Sequence, residues 1–280
     1  MAFHIQAELR YTIQQRSTML LNLHALSTTN QILSDERFTI TQGATCEFLP
    51  QQPGESRFAR LDTGDLDHLL ITYEVKAETN PGSRLIRQIS SIPVGGMQRS
   101  HLPFLFPSRY CQSDRLGRLA NRRFGHINHP LAQARAISDW VFDNIEYVPG
   151  TSDATTSACD TITQRAGVCR DFAHLAIALC RALSIPARYF AGYACNMQPP
   201  DFHACFEACV GNQWFIFDPT RLSSPNGLIR IATGRDAADA AVATIFGAMQ
   251  LETQMVSCTA DRFTPLGQSE LDGKAILLEP

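Results

Sequence analysis

The segment at residues 165–180 constrains the fold of this 280-residue chain more than any other stretch. A turn at Gly167 leads into a helix whose first residue is Cys169. We expect that helix to end before Pro186, because the residue preceding a proline disfavours the α conformation. One helix face carries only small residues at the 3.6-residue period, namely Cys169, Ala173, Ala176 and Cys180. This stripe predicts a helix that packs closely against a sheet.

The position of Cys169 also indicates a chemistry. The first residue of a helix lies at the positive end of the helix dipole, which favours a thiolate over a thiol and so produces a nucleophile. The alternative is that Cys169 is one more small buried residue of the stripe, as we expect Cys180 to be. Spacing along the helix does not separate these two interpretations.

A β-hairpin downstream brings two polar residues together. Two strands flank Gly211-Asn212, which is a strong signal for a two-residue turn. In that register His203 and Asp218 are diagonal neighbours on one face of the hairpin. Both faces are largely apolar, which favours a position inside the sheet. Because buried polar groups cost free energy unless they are paired, the sequence predicts that His203 and Asp218 contact each other and a thiolate.

Zinc binding is the competing explanation for the polar groups of this hairpin, which are His203, Cys205, Cys209 and Asp218. Cys205 and Cys209 are four residues apart on one strand, hence about 13 Å apart. Two thiolates that each lie about 2.3 Å from one zinc ion cannot be so distant. We therefore expect no zinc site here. No acidic, oxygen-rich calcium loop is evident, so we also expect no metal requirement and no cofactor.

The first hundred residues have the period of β-strands. From Phe3 to Ile13 every second residue is apolar, which is typical of a half-buried strand. Further strand patterns occur at residues 18–24, 37–41, 44–49 and 69–77. These patterns predict an antiparallel β-sandwich domain over residues 1–100.

Glycine and proline recur between residues 80 and 107, which indicates a linker and a domain boundary. We assign residues 101–130 to this linker and a leading helix, and residues 131–280 to a second, catalytic domain. Helical spacing begins after Ser113 and again after Pro130. If the boundary is placed correctly, a fragment beginning near Pro107 retains a compact core.

Composition limits the partners and the compartment. The chain has 24 Lys+Arg against 27 Asp+Glu and no basic block, so we expect no binding to nucleic acid. No apolar run is long enough to span a membrane, and the first residues lack the apolar core of a signal peptide. Its nine cysteines include no Cys-x-x-Cys spacing. We therefore expect neither a disulfide framework nor a zinc ribbon, and predict a soluble, cytoplasmic protein in a reducing compartment.

Several motifs together resemble those of the bacterial transglutaminase-like superfamily. They are Gly167 to Ala173, Ile185 to Tyr189, His203-Ala204, and Trp214 to Thr220. The resemblance covers residues 107–225 and, more weakly, the β-rich first hundred residues. It implies an α+β, papain-like core with a catalytic triad of Cys169, His203 and Asp218. One departure is Cys205, where the family usually has a tryptophan.

These features predict a thiol-dependent acyl enzyme that opens an amide or isopeptide bond of a peptide or amide substrate. Water as acceptor makes it a cysteine peptidase or amidase, and an amine makes it a transglutaminase. The backbone N–H of Cys169 supplies one oxyanion donor, while the sequence identifies no second. Two alternatives stay open. One is an acyltransferase that uses a thioester donor, as arylamine acetyltransferases do, and the other is a catalytically inactive peptide-binding or scaffold protein.

Overall fold

The computed structural model describes residues 1–50 and 56–279. Its strands are β1 (Ala2–Ile13), β2 (Thr18–Leu21), β3 (Gln31–Ile40), β4 (Thr45–Phe48), β5 (Ala59–Asp62), β6 (His68–Thr79), β7 (Gly82–Leu85), β8 (Glu146–Tyr147), β9 (Ala166–Gly167), β10 (Ala187–Ala194), β11 (His203–Val210), β12 (Gln213–Phe217), β13 (Leu228–Gly234), β14 (Ala243–Phe246), β15 (Met249–Thr259) and β16 (Lys274–Leu277). Its α-helices are α1 (Ser113–Phe124), α2 (Pro130–Asn144), α3 (Ala158–Gln164), α4 (Cys169–Ala182), α5 (Ala237–Ala240) and α6 (Gln268–Leu271). None of the helices in the described ranges is long and apolar enough to cross a membrane.

Two four-stranded antiparallel sheets form the β-rich part of the molecule. Their strand orders are β15-β1-β6-β3 and β14-β2-β5-β4. Buried and exposed residues alternate along β1 and β6, as the sequence pattern predicts for strands with one buried face. The buried faces of both sheets contribute to the same apolar cluster. The predicted antiparallel β-rich N-terminal region is therefore confirmed.

Strands are exchanged between the two predicted halves of the chain. Residues 243–259 fall in the predicted catalytic segment, yet β14 pairs with β2 and β15 pairs with β1. In the other direction, β7 comes from the predicted N-terminal segment and pairs with β16 in the sheet that contains the hairpin. The boundaries at residues 100 and 130 stay a prediction, but the sheets on either side of them are built from both halves.

The second layer has an α+β architecture around a six-stranded antiparallel sheet in the order β13-β10-β11-β12-β16-β7. Helix α4 packs on β10 and β11, and α1, α2 and α3 pack on α4. Ala173, Ala176 and Cys180 are fully buried, so the stripe of small residues brings α4 close to the sheet, as predicted. The hairpin β11-β12 lies inside the sheet. This layer matches the predicted papain-like, transglutaminase-like core.

Candidate active site

Cys169 is the first residue of α4, and the turn before it is held by the helix itself. The carboxylate of Asp171 accepts a hydrogen bond of 2.8 Å from the backbone N–H of Val168, which caps the helix start. Gly167 lies directly against this carboxylate, since a Cβ placed there would be 2.7 Å from the Cβ of Asp171. Cys169 itself is half-buried. The helix start is thus fixed while the thiol remains accessible.

The hairpin places His203 beside Asp218. Pairing of Phe206 with Phe217, continuing to the turn, confirms the two-residue register predicted from the sequence. Nε2 of His203 lies 2.9 Å from Oδ2 of Asp218. The same carboxylate accepts hydrogen bonds of 2.9 Å from the backbone N–H groups of Thr220 and Ser223. Asp218 is therefore fixed by the loop that follows β12, and it holds the imidazole ring in turn.

Electrostatics favour an ion pair between these two buried groups. Burial opposes ionisation of Asp218, but the charge and hydrogen bond of His203 outweigh it and keep the pKa of the carboxyl below its usual value. Burial likewise disfavours the cationic form of His203, but the Asp218 carboxylate outweighs it and raises the pKa of the imidazole well above its usual value. At neutral pH the ring therefore carries a proton that it can give away.

The third predicted residue, Cys169, lies in the same cleft as His203. Nδ1 of His203 is buried and has no hydrogen-bond partner in residues 1–50 and 56–279. The side chain of Cys169 interacts with this ring, and both residues line an open cleft of about 550 Å³. The structure brings together Cys169, His203 and Asp218, which the sequence analysis singled out.

The zinc-type donor set is only partly assembled. Ligand atoms of His203, Cys205 and Asp218 lie within 4.8 Å of one another. Cys209 lies elsewhere, with its Sγ 3.6 Å from Nδ1 of His101. Burial raises the pKa of Cys205 to about 12, so this side chain is a neutral thiol at physiological pH. The four polar groups of the hairpin are therefore not gathered at one point.

Glu207 shares the hairpin face with His203 but has a different environment. Its carboxylate accepts hydrogen bonds of 2.6 Å from Nε of Arg188 and 2.7 Å from the guanidinium of Arg230. Burial opposes its ionisation, but the two arginines outweigh burial and hold its pKa below the usual value. Both oxygens are occupied by arginines, so Glu207 is not available to orient His203.

Two tyrosines near Cys169 were missed by the sequence analysis. Tyr189 lies on β10 opposite Phe206 and lines the cleft. Tyr147 lies on β8 and pairs with Gly167, two residues before Cys169. A strand of two residues has no alternation to detect, so no sequence signal identifies Tyr147. Tyr189 could have been identified from the sequence, which allows the strand after Pro186 to be paired with the hairpin.

Comparisons with known proteins agree with this architecture. The model of the "Transglutaminase-like superfamily" matches residues 118–219, and that of the "Bacterial transglutaminase, N-terminal domain" matches residues 1–97. The crystal structure of a candidate cysteine protease from Cytophaga hutchinsonii is similar over 100% of this chain and 98% of that chain, with 46% sequence identity and a TM-score of 0.95.

Mycobacterial proteins are similar over shorter stretches. An uncharacterized protein from Mycobacterium leprae is 30% identical over 146 residues, which cover 49% of this chain and 52% of that protein. Another from Mycobacterium tuberculosis is 30% identical over 127 residues, which cover 39% of this chain and 40% of that protein. The matched part of this chain thus spans about half or less of the length of these relatives.

Proposed function

We propose, since this chain belongs to the bacterial transglutaminase-like superfamily, that it is a thiol-dependent acyl enzyme that cleaves or transfers an amide or isopeptide bond. The family and the Cytophaga hutchinsonii structure support a cysteine-enzyme function in general. One observation carries the specific proposal. The ring of His203 is bound to Asp218 through Nε2, its buried Nδ1 has no hydrogen-bond partner among the described residues, and Cys169 lines the same cleft.

The proposed reaction has two halves. The thiolate of Cys169 attacks the substrate carbonyl, and His203 gives its proton to the leaving amine, which produces an acyl-enzyme thioester. In the second half His203 takes a proton from the attacking water or amine, and the thiolate leaves. Asp218 keeps the imidazole oriented and stabilises its cation throughout. Water yields a peptidase or amidase, whereas an amine yields a transglutaminase.

The first test is selective alkylation of the native protein with iodoacetamide at pH 6, followed by peptide mapping. Cys169 should react much faster than the other cysteines, because the helix start and the adjacent imidazolium favour its thiolate. By contrast, burial raises the pKa of Cys111 and of Cys205 to about 12. Slow, uniform labelling of all nine cysteines would contradict the assignment of the nucleophile.

Cys195 is a second thiol whose alkylation has to be distinguished from that of Cys169. A hydrogen bond with the Cys258 thiol lowers its pKa, but only 5% of Cys195 is exposed. Replacement Cys195→Ser should leave the labelling rate of Cys169 unchanged.

To separate an enzyme from an inactive scaffold, release of the amine from a glutamine-amide peptide is measured in parallel. This release should be absent in Cys169→Ser, and its absence in the wild-type chain with such substrates would favour the scaffold.

A further inference from the structure

The cleft that contains Cys169 is lined by positively charged side chains. Arg109 and Arg170 line it together with His203, and among the described residues no Asp or Glu lines it. The chain as a whole has a formal net charge of -3. Positive charge is therefore concentrated at the cleft of a slightly anionic molecule, and a cleft lined by one sign of charge attracts ligands of the opposite sign.

Arg109 lies in a tight turn that its neighbours hold in place. Ser108 and Cys111 exchange two backbone hydrogen bonds, of 3.1 and 3.2 Å, across this turn. Cys111 is fully buried, so the turn is anchored in the core of the molecule. The backbone of Arg109 is thus fixed at the wall of the cleft.

The side chain of Arg109 is positioned by the ring of Tyr110. This ring stacks on His174 of α4, with 5.0 Å between ring centroids. The hydroxyl of Tyr110 donates a hydrogen bond of 2.8 Å to the carbonyl of Ala154. The guanidinium carbon of Arg109 lies 5.1 Å from the centroid of the same ring. A cation–π contact with a fixed aromatic ring therefore holds the charge of Arg109 at the cleft.

The two arginines of the cleft differ in what they already bind. The guanidinium of Arg170 forms an ion pair of 3.3 Å with Asp171 and donates to Oγ of Ser152, also at 3.3 Å. None of the ion pairs among residues 1–50 and 56–279 includes Arg109. Arg109 is also exposed, so a ligand in the cleft can reach it. Of the two arginines, Arg109 is the one whose charge is available to a substrate.

We propose that Arg109 binds a carboxylate of the substrate, and that the substrate is an acidic peptide with this carboxylate close to the reacting amide. This inference rests on the acyl-enzyme function proposed above. A guanidinium can bind a carboxylate through two parallel N–H···O bonds, which are stronger than bonds between neutral groups. Arg109 selects and orients the substrate, while Cys169 and His203 carry out the bond changes.

Two blocked peptides test this role. Each contains one glutamine, whose side-chain amide is the reacting group, and its two flanking residues are aspartates in one peptide and asparagines in the other. At low ionic strength the full wild-type chain should have a kcat/KM about tenfold higher for the aspartate peptide. This preference should decrease as NaCl is added, because salt screens exposed charges. Arg109→Gln should bring the ratio of the two kcat/KM values close to one.

The matched control is Arg122→Gln, which removes the same charge from an exposed residue of α1 outside the cleft. It should keep the wild-type ratio. Equilibrium binding of both peptides to Cys169→Ser provides a measurement that needs no turnover. The aspartate peptide should bind about tenfold more tightly to this variant, and adding Arg109→Gln should remove the difference. Circular dichroism of each variant confirms that the compared chains are folded.

The two measurements separate failure of this proposal from failure of the proposed function. Release of ammonia at equal rates from both peptides, or a preference that Arg109→Gln leaves unchanged, would overturn the role of Arg109 while the acyl-enzyme function stands. Binding of the aspartate peptide through Arg109 without any release of ammonia would support the carboxylate site and contradict the acyl-enzyme function. If the peptides neither bind nor react, both proposals fail.

Discussion

At the scale of single residues, Asp218 and Glu207 are two buried carboxylates that the hairpin places on one face, and their contacts separate them. We predict that Asp218→Asn lowers acyl transfer by roughly three to four orders of magnitude, because an amide neither stabilises the imidazolium nor holds its working tautomer. Glu207→Gln should keep most of the activity per folded molecule, because Glu207 contacts arginines and not His203. The measurement is hydrolysis of a peptide ester, normalised to the active-site thiol titre.

The stabilities of these two variants should follow the opposite order, with Glu207→Gln less stable than Asp218→Asn. Glu207→Gln leaves Arg188 and Arg230 in a buried site without their carboxylate partner, and breaking such a pair costs about 3–5 kcal/mol. Its thermal midpoint should fall below that of Asp218→Asn, because His203 can lose its proton when Asp218 is replaced, whereas the two arginines stay charged. A variant Glu207→Gln that is stable but inactive would mean that Glu207, and not Asp218, supports the imidazole.

Residue-level prediction from the sequence succeeds where partners are close along the chain. His203 lies on one strand of a hairpin with a two-residue turn, and Asp218 directly follows the other strand. The alternation of side chains along the two strands is enough to place both residues on the same face. The arginines that occupy Glu207 could not be inferred in this way. Arg188 lies on β10 and Arg230 on β13, and their approach depends on the order of strands in the sheet. Tyr147 could not be inferred either, because only a pairing of two residues, β8 with β9, brings it near Cys169.

At the scale of elements, the start of α4 depends on contact between Gly167 and Asp171. We predict that Gly167→Ala displaces the Asp171 carboxylate, because the new Cβ would lie 2.7 Å from the Cβ of Asp171. The cost should be about 1–3 kcal/mol of unfolding free energy, with slower alkylation of Cys169 as the helix start shifts. Chemical denaturation and timed labelling measure the two effects.

A second glycine provides the control for this substitution. At Gly117, within α1, an added Cβ has no heavy atom within 4 Å. Gly117→Ala should therefore raise stability by about 0.5–1 kcal/mol through helix propensity and leave the labelling of Cys169 unaffected. If Gly167→Ala behaved like Gly117→Ala in both assays, the tight turn before Cys169 would have no part in positioning the thiol.

Helices and strands whose apolar residues recur with a clear period could be predicted from the sequence, and those without such a period could not. The alternating pattern of residues 3–13 corresponds to β1, and the apolar spacing after Pro130 corresponds to α2. β15 is eleven residues long but largely exposed, because it lies at the edge of its sheet. An edge strand with little buried surface has no apolar alternation to detect.

At the scale of the whole molecule, the exchange of strands changes what a fragment can do. The sequence predicts that a chain beginning near Pro107 keeps a compact core. In the structure, such a fragment retains β14 and β15 but loses their partners β2 and β1, and it also loses β7 from the edge of the six-stranded sheet. One apolar cluster includes Phe3 and Ile5 of β1 together with Ala173 and Leu175 of α4. The two layers therefore share buried surface.

We predict from this sharing that a fragment of residues 107–280 aggregates, whereas the full chain is monodisperse and unfolds in one cooperative transition. The unpaired edges of β14 and β15 and the uncovered apolar surface of the cluster drive that aggregation. Size-exclusion chromatography and thermal unfolding followed by circular dichroism measure both properties. Co-expression of residues 1–106 should restore solubility by supplying β1, β2 and β7 in trans. A soluble, monomeric fragment with its own cooperative transition would instead establish an independent catalytic core, with the exchanged strands as dispensable additions to it.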